Sequence, residues 1–335
     1  MARVPVADMH CDTISAIAAA RKQGRDAVLR KNELHIDLQK MKQAGYLVQN
    51  FAMFLYLKGL EDPFTACMEM IDLYKQEIAK NQDLIEEALC YEDIVSNQEQ
   101  GKMSALLTIE EGETAMGSLE KLRAFYDRGV RMVTLTWNFQ NSIGFPNCLL
   151  KDGTKAPYGI PNTEQGLTEF GVDFVQEMER LGMIIDVSHL SDAGFYDVLK
   201  YTKQPFVASH SNARTLCPHV RNMTDDMIKK LSERGGVMGM NFCPAFLDLE
   251  QDYDKAVGTL RMVIDQIKHI IKIAGDECIG LGSDFDGIAP HAELKDASCM
   301  PLLAELMEQE GFSHSTIEHV FYKNVLRVYH TVLHR

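Results

Sequence analysis

The first residues that could do chemistry together are His10 and Asp12, which lie one residue apart after the apolar run Val4–Met9. In an extended strand, residues i and i+2 point to the same face. The imidazole and the carboxylate are therefore aimed at one point, and both suit a divalent metal such as zinc. A single His-x-Asp triplet often occurs by chance, so its meaning depends on whether later strands supply further ligands.

Four more potential ligands or bases stand directly after later strand-like runs, and they are Glu110, His189, His210 and Asp284. With the first pair they make three histidines and three carboxylates, enough for two metal ions that share a bridging carboxylate. Two such ions, roughly 3.5–4 Å apart, can hold a hydroxide between them and polarise a carbonyl. A remaining carboxylate can pass the proton to a leaving amine. The pattern therefore predicts metal-dependent amide hydrolysis.

The choice among neighbouring carboxylates stays open at the level of sequence. Glu111 and Glu113 compete with Glu110, and all three could simply be charges at a helix start. Asp286 competes with Asp284 for the role of base. The later histidines could be buried core histidines. What favours a metal site is that polar residues follow the first, third, fifth, sixth and eighth strand-like runs together.

Eight apolar runs must position these residues. The runs are Val4–Met9, Leu47–Leu55, Ala105–Ile109, Met132–Thr136, Met183–Val187, Pro205–Ser209, Val237–Phe242 and Cys278–Gly282. The helix-like stretches between and after them are Pro63–Leu89, Gly117–Arg128, Thr163–Leu181, Asp192–Tyr201, Asp225–Arg234, Tyr253–Ala274, Pro301–Gln309 and Ser313–Leu333. This alternation predicts an α/β fold with a parallel sheet buried on both faces, and eight units favour a (β/α)8 TIM-type barrel. In such a barrel, residues after the strands converge on the carboxyl-terminal mouth.

A doubly wound open sheet is the main alternative fold, but no Gly-x-Gly-x-x-Gly loop follows the first strand. The chain contains no internal repeat and no low-complexity linker, so we expect residues 1–335 to form a single domain. Residues 138–166, rich in Asn, Gly and Pro, predict a long loop after the fourth strand. Loops of that length are often lids or substrate walls.

Composition narrows the class of protein. Hydrophobic residues make up 46% and charged residues 24% of the chain, as in ordinary globular proteins. The net charge of −14 and the lack of basic patches argue against nucleic-acid binding. No apolar run approaches the length of a membrane span, and the start lacks a signal-peptide core, so we expect a cytoplasmic protein. The eight cysteines include no Cys-x-x-Cys pair and are expected to be reduced, mostly buried thiols.

Several longer strings carry a family resemblance. They are His-x-Asp at His10 and Asp12, Ile-Glu-Glu-Gly at Glu110, Gly-Leu-Thr-Glu-Phe-Gly at 166–171, Leu-Gly-Met-Ile-Ile-Asp-Val-Ser-His-Leu-Ser, Ser-His-Ser-Asn-Ala-Arg, Arg-Asn-Met-Thr-Asp at 221–225 and Gly-Ser-Asp-Phe-Asp-Gly. Over nearly its whole length the chain resembles the membrane (renal-type) dipeptidases, metallopeptidases of the amidohydrolase superfamily. The His-x-Asp opening matters because most amidohydrolase relatives open with His-x-His.

The resemblance implies two divalent metal ions, most simply zinc, at the mouth of the barrel. His10 and Asp12 would bind the first ion. Glu110 would bridge both ions, and His189 and His210 would bind the second. The implied reaction is hydrolysis of the peptide bond of dipeptides, with tolerance of a D-residue at the C-terminal position. The family also suggests a homodimer.

Two further roles follow from the same resemblance. Asp284 would act as the proton shuttle. Arg221, eleven residues past His210, would pair with the free C-terminal carboxylate of the substrate. A planar guanidinium grips a carboxylate through two hydrogen bonds, and such a clamp would select dipeptides over internal peptide bonds. The alternative for Arg221 is a salt bridge at a helix start.

One position departs from the family pattern. Members often carry a His just after the fourth strand, in a Leu-Thr-His context, that contacts the scissile carbonyl. Here the string is Thr-Leu-Thr-Trp-Asn, which places Trp137 there. An indole N–H donates one hydrogen bond but carries no charge, so Asn138 or Asn141 could make that contact instead. A purely packing role for Trp137 is equally open.

Two other functions compete with a dipeptidase. The first is another metal-dependent amidohydrolase, such as a deaminase or a cyclic-amide hydrolase, for which a carboxylate clamp at Arg221 need not matter. The second is a non-catalytic binding or scaffold protein with a relict site. Measuring bound metal distinguishes a relict site from a working one, because a decayed site is expected to lose metal ligands.

Overall fold

A computed structural model describes residues 4–148, 160–250, 252–289 and 291–334. Its strands are β1 Val6–Asp8, β2 Tyr46–Phe54, β3 Ile85–Glu87, β4 Met103–Glu110, β5 Val130–Thr134, β6 Ile184–Asp186, β7 Val207–Ser211, β8 Val237–Met240 and β9 Ile279–Leu281. Eight of them form a closed parallel barrel in the order β1, β2, β4, β5, β6, β7, β8, β9, because β2 pairs with β4 and β9 pairs with β1. Within the described ranges, β3 pairs with β4 alone and lies outside the barrel.

Helices surround the barrel. They are α1 Thr13–Lys22, α2 Leu38–Ala44, α3 Pro63–Ala79, α4 Tyr91–Glu99, α5 Leu119–Asp127, α6 Glu169–Leu181, α7 Asp192–Tyr201, α8 Asp225–Glu233, α9 Leu260–Ala274, α10 Met300–Gln309, α11 His314–Glu318 and α12 Asn324–Val332. A π-helical turn, His319–Lys323, joins the last two. None of the helices in the described ranges is long and apolar enough to cross a membrane.

The predicted (β/α)8 barrel is confirmed, and all eight predicted strands are present with boundaries shifted by at most two residues. The predicted helix Pro63–Leu89 was wrong after Ala79, where α3 ends, and Ile85–Glu87 is a strand. Of the predicted loop 138–166, residues 149–159 lie outside the described residues. All eight cysteines are free thiols, as expected.

Helix caps explain why two other helices begin later than predicted. The expected helices Thr163–Leu181 and Tyr253–Ala274 begin at Glu169 and Leu260 instead. Thr168 and Thr259 each accept a hydrogen bond from the backbone N–H three residues further on. A threonine in this role satisfies one of the free donors of the first turn and so fixes the start of the helix.

The barrel is filled by apolar side chains and closed at one end by α12. Val207 and Val237, the first residues of β7 and β8, share a buried cluster with Val325 and Val328 of α12. Tyr329, also in α12, is fully buried, and its hydroxyl donates to Asn50 Oδ1 over 2.7 Å. The helix therefore covers the end of the barrel where the strands begin, and the opposite end stays free for chemistry.

Candidate active site

The five predicted metal ligands and the predicted base, Asp284, all lie at the carboxyl-terminal ends of barrel strands. His10 and Asp12 follow β1, Glu110 ends β4, His189 follows β6, His210 lies within β7 and Asp284 follows β9. All six side chains are buried. Because the strands are parallel, their ends meet at one mouth, and residues far apart in the sequence come together there.

Glu110 stands at the centre of the group. Its Oε2 lies 3.1 Å from His10 Nε2, and its Oε1 lies 3.0 Å from His189 Nε2. Oε1 is also 3.6 Å from His210 Nε2. Beside His10, the Oδ2 of Asp12 lies 3.4 Å from its Nε2. The two oxygens of one carboxylate thus face two different sets of ligands, as a bridging carboxylate must.

The donor atoms of the group fit a cation better than they fit one another. His189 Nε2 and His210 Nε2 face each other over 3.1 Å. Within the described residues, both ring nitrogens of His10 and the Oδ1 of Asp12 make no hydrogen bond of good geometry, although His10 Nε2 lies close to two carboxylates. Buried polar atoms normally make hydrogen bonds, so lone-pair atoms that converge without them fit the coordination of a cation. Two overlapping sets of side chains are close enough to hold a metal ion: His10, Glu110 and His210, and His10, Asp12 and Asp284.

Hydrogen bonds on the outer side of His210 fix its orientation. Ser209 Oγ lies 2.7 Å from His210 Nδ1 and donates to Asp186 Oδ2 over 2.5 Å. Asp186 also accepts from the backbone N–H groups of Ser188 and Ser209. Because the Ser209 hydroxyl gives its proton to Asp186, it accepts the Nδ1 proton of His210 and leaves Nε2 free for a metal. Sequence reasoning missed Asp186, although a carboxylate inside an apolar strand was a visible signal.

His189 is oriented in the same way by Asn138. Its Nδ1 lies 2.9 Å from Asn138 Oδ1, an atom that can only accept, so Nδ1 carries the proton and Nε2 is the free donor atom. Asn138 was predicted from the sequence to contact substrate. The structure adds a contact to His189, a predicted metal ligand, and no sequence pattern revealed that contact.

Burial and neighbouring charges shift the pKa values of the group strongly. Burial lowers the pKa of His10, but the Glu110 and Asp12 carboxylates outweigh it and raise that pKa well above its usual value. Burial raises the pKa of Glu110, but His10 and His189 bring it well below its usual value. Burial also raises the pKa of Asp284 to about 7. Negative charge therefore dominates the field around His10, which is the environment that a cation requires.

The structure distinguishes the two candidate bases by their contacts. Asp286 accepts from Thr13 Oγ1 over 2.6 Å and from the backbone N–H of His35 over 2.6 Å, so its carboxylate ties α1 to the loop before α2. Asp284 accepts from Asn241 Nδ2 over 2.9 Å through Oδ2, and its Oδ1 belongs to the ligand group. Asp284 is therefore the carboxylate with an oxygen available at the mouth.

Glu111 was considered in the sequence as an alternative to Glu110, but its contacts give it a different role. Its carboxylate accepts from the backbone N–H of Trp137 over 3.0 Å and from Asn141 Nδ2 over 2.5 Å. Its backbone has φ 137°, a conformation that costs free energy in a residue with a side chain. Burial raises the pKa of this carboxyl to about 7. Glu111 thus anchors the segment after β5 that carries Trp137 and Asn138.

A cavity of about 810 Å³ opens above the ligands and is lined by all three predicted substrate residues, Trp137, Asn138 and Arg221. Arg221 is only 5% exposed, and its Nη2 donates to the backbone carbonyl of His210 over 3.1 Å. Within the described ranges its Nε has no hydrogen-bond partner and the guanidinium has no carboxylate partner. The helix-start salt bridge considered for Arg221 is therefore not formed with any described residue. A buried cation at a cavity wall can receive an anionic group of a ligand.

His219 was not among the residues predicted for the site. It lines the cavity, and its Nδ1 accepts the backbone N–H of Arg221 over 3.1 Å. Phe246 lies beneath the Arg221 guanidinium, 5.4 Å from ring centre to carbon. Neither residue carried a sequence signal, because both reach the cavity through loops after β7 and β8.

Known proteins share the sequence family and the fold of this chain. The chain belongs to the membrane dipeptidase family, peptidase family M19, which it matches over residues 1–334. An uncharacterized dipeptidase of Schizosaccharomyces pombe is 35% identical over 312 residues, which are 88% of this chain and 71% of that protein. Dipeptidase tcpJ of Claviceps purpurea is 31% identical over 304 residues, 88% of this chain and 68% of the relative. The chain is accordingly an enzyme that hydrolyses peptide bonds, as the resemblance predicted.

Solved structures agree with the fold. A crystal structure of a dipeptidase AC, described as a metallopeptidase of family M19, superposes with a TM-score of 0.87 at 25% identity and covers 99% of both chains. A metallopeptidase of Rhodobacter sphaeroides, liganded with a phosphinate mimic of the dipeptide L-Ala-D-Ala, gives a TM-score of 0.86 at 24% identity, covering 98% of this chain and 99% of that one. Divalent metal binding at the mouth is consistent with both the neighbours and the ligand group.

Proposed function

We propose that the protein is a dipeptidase that works with two divalent metal ions, most simply zinc, and accepts a D-residue at the C-terminal position of its substrate. The observation that carries this proposal is the position of Glu110, whose two oxygens face His10 on one side and His189 on the other at about hydrogen-bond distance. A carboxylate can bind one cation through each of its two oxygens, whereas a neutral imidazole has one free lone pair and binds one cation.

The chain's own residues would hold the metal ions. His10 and Asp12 would bind one ion, His189 and His210 the other, and Glu110 both. When bound, the ions supply a water activated for attack and polarise the scissile carbonyl. The unpaired atoms of His10 and Asp12 and the opposed Nε2 atoms of the other two histidines support this assignment.

Asp284 moves the proton. It accepts a proton from the attacking water and returns it to the leaving amine, which is general base catalysis followed by general acid catalysis. Asn241 holds one carboxylate oxygen through its side-chain amide, and the other oxygen lies 3.9 Å from His10 Nε2. Asp286 is less suited to this role because Thr13 and backbone N–H groups already occupy both of its oxygens.

Arg221 binds the C-terminal carboxylate of the substrate. Its burial, its position in the cavity wall and its lack of a described acidic partner support this role. A dipeptide places its free carboxylate one residue beyond the scissile bond, whereas an internal bond of a longer peptide has an uncharged amide there. The phosphinate mimic of L-Ala-D-Ala described for the Rhodobacter sphaeroides neighbour suggests that the same chemistry, including the D-residue, suits this chain.

Trp137 and Asn138 complete the substrate wall. The Asn138 oxygen accepts from His189, so we assign its amide nitrogen to the substrate. Trp137 lines the cavity, and the centroid of its ring lies 6.2 Å from that of the His189 ring.

The cytoplasmic location and the homodimer stay predictions.

The experiment is an assay of purified protein on matched substrates before and after chelation. L-Ala-L-Ala, L-Ala-D-Ala, the tripeptide Ala-Ala-Ala and the amide of L-Ala-L-Ala form the panel. We expect cleavage of both dipeptides, little cleavage of the tripeptide or the amide, loss of activity on chelation and recovery with zinc. Failure to cleave any dipeptide with metal present would overturn the proposal. Metal-dependent activity that ignores the free carboxylate would favour another amidohydrolase instead.

A further inference from the structure

We infer that an aromatic wall made of Phe54, Tyr56 and Trp137 forms the subsite for the side chain of the substrate's N-terminal residue, and that it selects large apolar side chains. This inference rests on the proposed dipeptidase function and goes beyond it, because it names which dipeptides the enzyme prefers. It depends on three observations: the wall is exposed to the cavity, the opposite surface leaves room, and Arg221 lies across the barrel.

The wall presents ring surface to the cavity. Centroid distances from the Trp137 ring are 5.1 Å to Phe54 and 5.9 Å to Tyr56. Behind them, Phe139 lies 5.6 Å from Trp137 and 5.8 Å from Tyr56. The rings thus brace one another in tilted and edge contacts, yet Tyr56 is still 44% exposed. Apolar surface that stays exposed within a cavity is available to an apolar ligand group.

The surface that shares this part of the cavity is made of small or flexible side chains. Ala16 and Ala19 of α1 line it, together with Met70 of α3. Ser15 lies among them, but its hydroxyl is already used, since it donates to the Phe54 carbonyl and accepts the Phe54 N–H, each over 3.1 Å. These contacts hold α1 against the end of β2. Space therefore remains beside the wall, and the backbone that frames it is fixed.

Barrel topology decides which end of a dipeptide reaches this space. Phe54 is the last residue of β2, and Arg221 follows β7. In the closed order β1, β2, β4, β5, β6, β7, β8, β9, the strands β2 and β7 are four steps apart in either direction, so their ends face each other across the mouth. The ligand group lies between them. With the substrate carboxylate on Arg221 and the scissile bond over the ligands, the N-terminal residue points at the aromatic wall.

The two sides of the cavity also differ in charge. The side near Arg221 offers the positive charge of its guanidinium, which lies over the Phe246 ring, to a carboxylate. His219 lies beside it as a neutral ring, because its Nδ1 accepts a backbone N–H. The side near the wall offers rings, alanines and a methionine, with Lys22 at its edge. A large apolar side chain gains most where it removes ring and methyl surface from water. Lys22 provides the competing interpretation, a preference for an acidic N-terminal residue.

The test compares N-terminal side chains on a constant C-terminal alanine: Gly-Ala, Leu-Ala, Phe-Ala and Glu-Ala. We expect kcat/KM for Phe-Ala to exceed that for Gly-Ala by roughly 10-fold to 100-fold. Varying the C-terminal residue, as Ala-Phe against Ala-Gly, should give a smaller ratio. Tyr56→Ala should reduce the Phe-Ala to Gly-Ala ratio severalfold, and Ala19→Leu, which narrows the space, should reduce it as well.

Tyr196→Ala is the matched control, because Tyr196 is similarly exposed at 40% but lies on α7 outside the cavity lining. It should leave the ratio unchanged. Equal kcat/KM across the N-terminal panel, a preference set by the C-terminal side chain, or a preference for Glu-Ala would each overturn the inference while the dipeptidase proposal stands. If no dipeptide is cleaved with metal present, the proposed function itself fails.

Discussion

The mouth and the closed end of the barrel differ in backbone conformation and in how their buried side chains are packed. Among the described residues, five other than glycine have positive φ, and four of these lie at the mouth: Glu111, His189, Asp284 and Asp286. The mouth also holds buried donor atoms without partners. At the closed end, the α12 side chains Val325 and Val328 are packed among strand valines, and the buried Tyr329 hydroxyl is paired with Asn50. An exception among the described residues is the buried hydroxyl of Tyr46, at the start of β2, which has no hydrogen-bond partner.

The mouth therefore lowers the free energy of unfolding, and the closed end raises it. Strained backbone and unpaired buried charge each cost free energy and persist only where the surroundings enforce them. The closed end supplies that enforcement through close apolar packing. Substitutions at the mouth should therefore change activity more than folding, and substitutions at the closed end should do the reverse.

The largest expected effect is at Glu110. Glu110→Gln keeps the shape of the side chain but removes the charge that faces both histidine groups. We expect kcat/KM on L-Ala-L-Ala to fall by about 1,000-fold or more, because metal ions stabilise transition-state charge by several kcal/mol. Circular dichroism should show a folded protein. If the variant kept near wild-type activity, Glu110 would not be required for catalysis.

Arg221→Ala should have the next largest effect. Loss of a charge-assisted pair with the substrate carboxylate should lower kcat/KM by roughly 10-fold to 100-fold, mainly through KM. Arg221→Lys should recover part of the loss, since it keeps the charge but not the two-pronged geometry. Steady-state kinetics on both variants measure this, and an unchanged KM in Arg221→Ala would contradict the carboxylate role.

Ser209→Ala tests the orientation of His210 without touching a ligand. Removing the hydroxyl between His210 and Asp186 should weaken metal affinity by about 10-fold to 100-fold, as loss of such supporting contacts typically does. Competition with a chelator measures this affinity. Ser104→Ala is a control, because Ser104 is also a buried strand serine but bonds Asn97 away from the ligands. Equal affinity in the two variants would show that Ser209 has no orienting role.

The smallest expected effect on activity belongs to the closed end. Tyr329→Phe leaves Asn50 Oδ1 buried without its partner and should lower the free energy of unfolding by about 1–3 kcal/mol. Its kcat/KM at 25 °C should match the wild type. Chemical denaturation and kinetics on the same sample give both values. A selective loss of activity without loss of stability would break the contrast between the two ends.

Much of the barrel was predictable because its signals are local. Continuous apolar runs predicted all eight barrel strands, and the polar residues after five of those runs are the side chains that the structure brings together at the mouth. The strand β3 was not predicted, because Ile85–Glu87 is short and two of its three residues are charged. Helices α1, α2 and α4 were also missed, although α5 and α8, which are no longer than α4, were predicted.

The supporting contacts of the site were not predictable in the same way. Asn138 reaches His189 across 51 residues of sequence, and Glu111 reaches Asn141 across 30. Such pairs are created by strand order and loop conformation, which leave no periodic pattern in the sequence. The aromatic wall has the same origin, since Phe54 and Trp137 come from the ends of β2 and β5.

Titration of chelator-treated protein with zinc, with bound metal and hydrolysis of L-Ala-D-Ala followed in the same samples, tests whether the mouth holds two catalytic metal ions. We expect no activity without metal, a plateau of activity when two ions are bound per chain, and no comparable rise for Glu110→Gln. Hydrolysis at full rate in metal-free protein, or metal-loaded protein that cleaves no dipeptide, would contradict this expectation.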